Sequence, residues 1–226
     1  GEIDMDLFRV LADAYPLLLQ GLGMTVKVTV ISLIFAIVIG IITCLFVISK
    51  IPPLRWIAKF YIWLIRGTPM LVQAMYIYLA LPQLVQLVTG SEFKISIFAA
   101  SLVTLTMNAG AYMSEIFRGA IEAVNKGQME AARSLGLSYG QSMVKIILPQ
   151  AVRICLPSLV NQCIITLKDS TILYAIGLSE IMYYGKIYVG RTFEVFATYT
   201  WIAIFFLIII SILSIISRQI ERRLKK

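Results

Sequence analysis

The chain is 226 residues long, 59% apolar and 14% charged, with a formal net charge of +8 and no histidine. Soluble domains hold roughly 45–50% apolar and about 25% charged residues, so this composition excludes an ordinary water-soluble domain and describes a chain built for a bilayer. The basic excess is then read as basic loops on one side of a membrane, not as a nucleic-acid surface, and the missing histidine removes the usual zinc, haem and proton-shuttle sites.

The apolar runs are continuous, which favours helices over a barrel, and a helix needs about 20 residues to cross hydrocarbon. The start, GEIDMDLFRV, is acidic and lacks the basic region of a secretory signal peptide. The first span is expected at about 22–48, around VTVISLIFAIVIGIITCLFVI. In the second, about 54–82, Arg66 and Pro69 interrupt the apolar run. It reads either as one long kinked helix, or as an interfacial helix over about 54–66 followed by a span starting near Thr68. The third span is placed at about 94–118, the fourth at about 150–176 and the fifth at about 196–217. Cys44, Cys155 and Cys163 lie in or beside apolar runs and read as small core residues, neither disulfides nor metal ligands.

Charge sets the direction. With these spans one side receives Lys50, Arg55, Lys59, Arg118, Lys126, Arg133, Lys145, Arg153, Arg218, Arg222, Arg223, Lys225 and Lys226. The other side receives only Arg9, Lys94, Lys186 and Arg191. The positive-inside rule therefore predicts an outer N-terminus and a cytoplasmic C-terminus. The acidic residues Glu2, Asp4, Asp6 and Asp13 at the start agree with that sense.

Between spans three and four a polar interruption, about 120–149, is then the longest internal cytoplasmic loop. It reads as two short helices. The first, Ala120 to Leu135, ends at Gly136 as a left-handed cap; the second is capped by Ser138 and runs to Pro149. Ala131 and Ala132 are expected on its surface, where small side chains let a partner approach closely. Leu135, Leu137, Ile146 and Leu148 are spaced to pack.

Polar groups inside spans are functional candidates because hydrocarbon penalises them. Asn108, Tyr112 and Glu115 share one face of span three, and span four carries Asn161, Gln162, Lys168, Asp169, Ser170 and Thr171. By depth they form a path: Lys168 and Asp169 outermost, Asn108 and Asn161 central, Glu115 innermost. Two plainer readings stand beside it. Lys168 and Asp169 can neutralise each other, and the two asparagines can be interhelical hydrogen bonds.

The loop carries Glu130, Ala131, Ala132, Gly136, Ile146, Leu148 and Pro149 at the spacing EAA, three residues, G, nine residues, I, one residue, LP. At each of those positions it resembles the cytoplasmic signature of ABC importer permeases. RGTPMLVQ (66–73) and LPSLVNQCIITLKDSTILYAIG (156–177) are similar to segments of permeases for polar amino acids of the arginine, histidine and glutamine type. The resemblance covers essentially the whole chain. It implies an all-α integral membrane fold of the type I importer kind, a single permease domain over 1–226, in the inner membrane.

It also implies a function. The loop would dock on a separate ATPase subunit, two copies per transporter, with ATP and Mg held there and not on this chain. This agrees with the lack of a P-loop sequence here, so the chain is expected to be no enzyme and to hold no cofactor or metal. A second permease copy, an extracytoplasmic amino-acid-binding protein and an amino acid complete the expected assembly, which works by alternating access. An ion-coupled secondary transporter, using Asp169 or Glu115, is the alternative of another class.

Overall fold

The computed structural model describes the backbone of residues 2–224 and the side chains of 7–219 and 222. Lys225 and Lys226, and the side chains of Glu2, Asp4, Asp6 and Arg223, lie outside the described residues. Eight helices follow one another among the described residues: α1 Glu2–Ile48, α2 Pro52–Arg66, α3 Met70–Thr89, α4 Ile97–Ala123, α5 Lys126–Ser134, α6 Tyr139–Ile176, α7 Ile181–Thr192 and α8 Val195–Leu224. Five of them, α1, α3, α4, α6 and α8, are long and apolar enough to cross a membrane, as the sequence predicts.

α4 is the central post. Its sequence is unusually rich in small residues, and Ala100, Ser101, Ala109, Gly110, Ala111 and Ser114 are all buried. Small side chains let helices approach closely where lipid supplies no hydrophobic drive between them. The crossing with α1 shows why. A Cβ on Gly40 would stand 2.9 Å from Met113 Cβ, and one on Gly110 would stand 3.0 Å from Ile39 Cγ2. On its other side α4 packs against α6.

α1 begins about twenty residues earlier than the predicted first span. At about 1.5 Å per residue its 47 residues are some 70 Å long, well beyond a bilayer core of about 30 Å. The extra turns are held because Val10, Ala14 and Leu18, spaced i, i+4, i+8, pack on Ile181, Tyr188, Ala197 and Ile202 of α7 and α8. Trp201 Nε1 donates to the Leu7 carbonyl at 2.8 Å, and Arg9 pairs with Glu194 at 2.9 Å.

The second span resolves to the interrupted alternative. α2 stops at Arg66, and Pro69, at ψ 137°, starts α3 after a break of three residues. Pro69 cannot donate to the preceding turn, and its ring pushes Thr68 out of helical geometry.

Two π turns, Tyr76–Ala80 in α3 and Met143–Ile147 in α6, are each followed at once by Leu-Pro, at Leu81-Pro82 and Leu148-Pro149. A proline inside a helix lacks its N–H and crowds the carbonyl four residues back; a turn widened by one residue relieves that crowding. Because of it the expectation that the second loop helix stops at Pro149 is corrected: Pro149 lies inside α6. α6 continues straight through to Ile176.

Candidate functional site

The break between α2 and α3 leaves backbone carbonyls without helical partners. Gln73, one turn into α3, supplies them: its Nε2 donates to the Ile65 carbonyl (2.7 Å), the Thr68 carbonyl (3.0 Å) and Thr68 Oγ1 (2.9 Å). Its carbonyl oxygen then accepts from Asn108 Nδ2 at 3.3 Å, so α4 is tied to the break through two buried amides. Buried polar groups hold only when paired in this way.

Beside that tie lies a cleft of about 400 Å³. Thr68, Pro69 and Met70 form one wall, Asn108 and Tyr112 of α4 the second, and Gln162, Ile165, Asp169 and Ile172 of α6 the third. The α6 residues recur at i, i+3, i+7 and i+10, a single helical face. Asn161 and Lys168 each precede a lining residue by one position, about 100° round the helix, and both are exposed outside the cleft. Ser170 is buried and donates to the Leu167 carbonyl of its own helix at 2.8 Å.

Glu115 sits one turn below Tyr112. Both its oxygens meet Arg118, at 2.9 and 3.0 Å, and Arg66 Nη1 stands 3.5 Å from Oε2. The same Arg66 lies over the Tyr112 ring, 5.1 Å from its centroid. The structure thus brings together Asn108, Tyr112 and Asp169. It sets Glu115 apart in an ion-paired cluster, and it leaves Asn161, Lys168 and Ser170 outside the cleft. Gln162 is among the polar residues of span four that the sequence offers, while Gln73 and Thr68 are not read from it as site residues. Gln162 and Asp169 form the same i, i+7 spacing as Asn161 and Lys168, so periodicity alone cannot choose between the two pairs. An amide four residues after Pro69 was the available sign for Gln73.

The polar loop is a built elbow. Asn125 Oδ1 accepts from the Gly127 amide at 2.8 Å and starts α5 at Lys126, later than the expected start at Ala120, because α4 runs on to Ala123. Gly136 has φ +84°, the left-handed cap expected of it, and the Leu137 amide returns to the Ala132 carbonyl at 3.2 Å. Ser138 and Gln141 exchange bonds of 3.2 and 2.9 Å in a capping box at the start of α6.

Met129, Met143, Ile146 and Ile147 anchor the elbow on Ala120, Val124 and Ala151. Leu148 is half-buried and Pro149 exposed. Two expectations are corrected here. Ala132 faces inward, 4% exposed, while Ala131 faces out; and Leu135 does not pack but stands 84% exposed. Both follow from the later start of α5, whose anchoring face carries Met129 and Ala132. The outward face therefore presents Glu130, Ala131, Leu135 and Tyr139.

Residues 32–226 match the family described as binding-protein-dependent transport system inner membrane component. The arginine transport system permease protein ArtQ of Bacillus subtilis (strain 168) is 38% identical over 210 residues, 93% of each chain. The glutamine transport system permease protein GlnP of Escherichia coli (strain K12) is 38% identical over 212 residues, 94% of each chain. A crystal structure of an amino acid ABC transporter with histidines superposes with a TM-score of 0.89 at 36% identity, over 96% of this chain and 98% of that one. An inward-facing MetNI methionine ABC transporter gives 0.75 at 19% identity, over 93% and 97% of the two chains, a likeness of fold alone.

Proposed function

This chain belongs to the binding-protein-dependent transport system inner membrane component family, and from that premise we propose a polar amino acid as its cargo, held in the cleft around Asp169. The chain is the permease subunit of an amino acid ABC importer, a multi-pass inner-membrane transport subunit and not a catalytic one. The comparisons give no support to the ion-coupled alternative.

The observation that carries the substrate reading is the cleft's polarity. Asp169 is the one carboxylate among its lining residues, with the uncharged Asn108, Gln162, Thr68 and Tyr112 around it. A zwitterion fits that set. Asp169 receives the α-ammonium, and the Tyr112 and Thr68 hydroxyls with the Gln162 amide can donate to the α-carboxylate and to a polar side chain. Glu115 is already engaged by Arg118 and Arg66, so a cationic side chain would find Asp169 before it. The arginine and glutamine named for the two permease relatives both carry such polar side chains.

Residues 1–226 act as one permease unit. Two ATPase subunits grip two copies of the α5 elbow through Glu130, Ala131, Leu135 and Tyr139. Gly136, Ile146, Leu148 and Pro149 hold its shape. ATP and Mg are bound on those subunits, and an extracytoplasmic binding protein delivers the amino acid. The broad exposed apolar faces of α3 (Leu79, Leu87, Val88) and α8 (Leu207, Ile208, Ile212) are left for lipid and for a second permease copy. Closure of the motor pair moves the elbows together, and the α2–α3 break, tied to α4 by Gln73, is where the cleft opens and shuts. Lys168 and Asn161 then meet the substrate only at the outer mouth or across the subunit interface.

The test is uptake and ATPase activity of the reconstituted permease–ATPase complex carrying Asp169→Asn. Substrate-stimulated ATPase and uptake should fall at least tenfold (about 1.4 kcal/mol or more of lost charge-assisted binding) while basal ATPase and yield stay at wild-type level. Wild-type uptake by the variant would remove Asp169 from the site.

A further inference from the structure

We propose that the cavity between α2 and α4 at the cytoplasmic end binds the phosphate of an anionic phospholipid of the inner leaflet. The leaflet rests on the sidedness read from charge; the binding itself does not, nor does it depend on the substrate assignment. The cavity measures about 510 Å³, with Arg55, Lys59 and Trp63 of α2 on one wall and Glu115, Arg118 and Glu122 of α4 as its floor.

The floor is closed by its own ion pairs. Arg118 holds Glu115 through two bonds and Glu122 at 2.6 Å, and Arg66 supports Glu115 from the side. Two arginines against two carboxylates leave Arg55 and Lys59 as surplus positive charge. Arg55 reaches the Ser49 carbonyl at 2.6 and 3.2 Å, a neutral acceptor that does not compensate it. Lys59 is exposed and makes no ion pair among the described residues. The two stand at i, i+4, one turn apart on the same stripe.

The rest of α2 says where the ligand comes from. Its sequence sorts into stripes: Ala58 and Ile65 are buried, Arg55, Lys59 and the edge of Trp63 line the cavity, and Trp56 and Phe60 stand exposed beside it, the two tryptophans 76% and 68% exposed. Tryptophan next to lysine and arginine on one amphipathic helix is the composition that seats in the headgroup layer.

The placement of α2 agrees. Tyr61 donates to the Met107 carbonyl of α4 at 2.6 Å, yet Arg66, five residues on, reaches Glu115 and Tyr112. Arg55 and Lys59, seven and more residues before Arg66, face the same level of α4, Glu115 to Glu122, so α2 stays near one depth and lies across α4. A phosphodiester between Arg55 and Lys59 therefore has an apolar stripe beside it for its acyl chains. A soluble anion would meet the same two cations but would leave Trp56, Phe60 and Trp63 bare.

Native mass spectrometry of the purified permease–ATPase complex tests this, with dioleoyl phosphatidylglycerol or dioleoyl phosphatidylcholine titrated into the detergent. Phosphatidylglycerol should be retained in preference, and Lys59→Gln should weaken its retention about fivefold, the factor that corresponds to ~1 kcal/mol per basic residue at an anionic headgroup. Lys94→Gln, the same charge change in the loop before α4, should leave retention at wild-type level. Equal retention of phosphatidylcholine, wild-type retention by Lys59→Gln, or an equal loss in Lys94→Gln would each overturn the site. Displacement of the lipid by inorganic phosphate alone would make the ligand a soluble anion and overturn the lipid assignment. Transport is not read, so a failed substrate assignment cannot be mistaken for a failure here.

Discussion

At the scale of single residues, the most unusual group is Glu180, between α6 and α7. It is fully buried, its Oε1 accepts from the Tyr183 amide at 2.8 Å, and its Oε2 has no hydrogen-bond partner among the described residues. Burial pushes its carboxyl up to about 7 from an ordinary 4.5, against two backbone amides that favour the anion. The folded state therefore binds the proton more tightly than the unfolded chain does. The stability this contributes is fully present below about pH 4.5 and is lost as pH rises through about 7. It amounts to something on the order of 3 kcal/mol, at ~1.36 kcal/mol per unit. The melting midpoint of the detergent-purified protein should fall between about pH 5 and pH 8, and Glu180→Gln, which stays neutral, should flatten the profile. An unchanged slope in the variant would place the titration elsewhere. The cleft shows the same dependence on single positions: moving from Lys168 to Asp169, or from Asn161 to Gln162, turns a side chain by about 100° and decides whether it meets the cavity.

At the scale of elements, the chain is most legible where local chemistry decides. The Gly136 cap, the Ser138 start and the break at Pro69 all follow from residues within four positions, and the structure has all three. It is least legible where packing decides. The first twenty residues of α1 are too polar to be read as a span, and only α7 and α8, far along the chain, give Val10, Ala14 and Leu18 a surface to bury against.

The π turn before Pro149 was illegible for a further reason. Proline is read as a stop, but a five-residue widening of the helix absorbs it. That turn fixes the register between the elbow and the part of α6 that lines the cleft. Pro149→Ala removes the crowding that the widened turn relieves, so the segment can close to ordinary α geometry and turn the elbow by about one residue, 100°, relative to Gln162 and Asp169. Helix content should stay as in wild type, while the ratio of substrate-stimulated to basal ATPase in the reconstituted complex should drop several-fold. Wild-type stimulation would mean that the register does not carry the coupling.

At the scale of the whole molecule, the elbow and the cleft make a transporter only if motion at the one reaches the other. The cleft lies between the α2–α3 break and the C-terminal half of α6, and the elbow joins the far end of α4 to the start of α6. A motor on the elbow's side can then act on the cleft through α6 and through the Gln73–Asn108 tie. With the spans read from the sequence, thirteen basic residues fall on the elbow's side against four on the other, and the positive-inside rule predicts a cytoplasmic elbow. A chain inserted the other way would carry the same folded cleft but offer Leu135 and Tyr139 to a compartment without ATP. Single cysteines at two exposed positions decide between the orientations, in a chain whose Cys44, Cys155 and Cys163 are replaced by alanine. A membrane-impermeant maleimide applied to intact cells should label Ser91→Cys, in the loop between α3 and α4, and not Leu135→Cys. Inside-out vesicles should reverse the pattern. Labelling of Leu135→Cys from outside would invert the molecule, and with it every partner placed on the elbow.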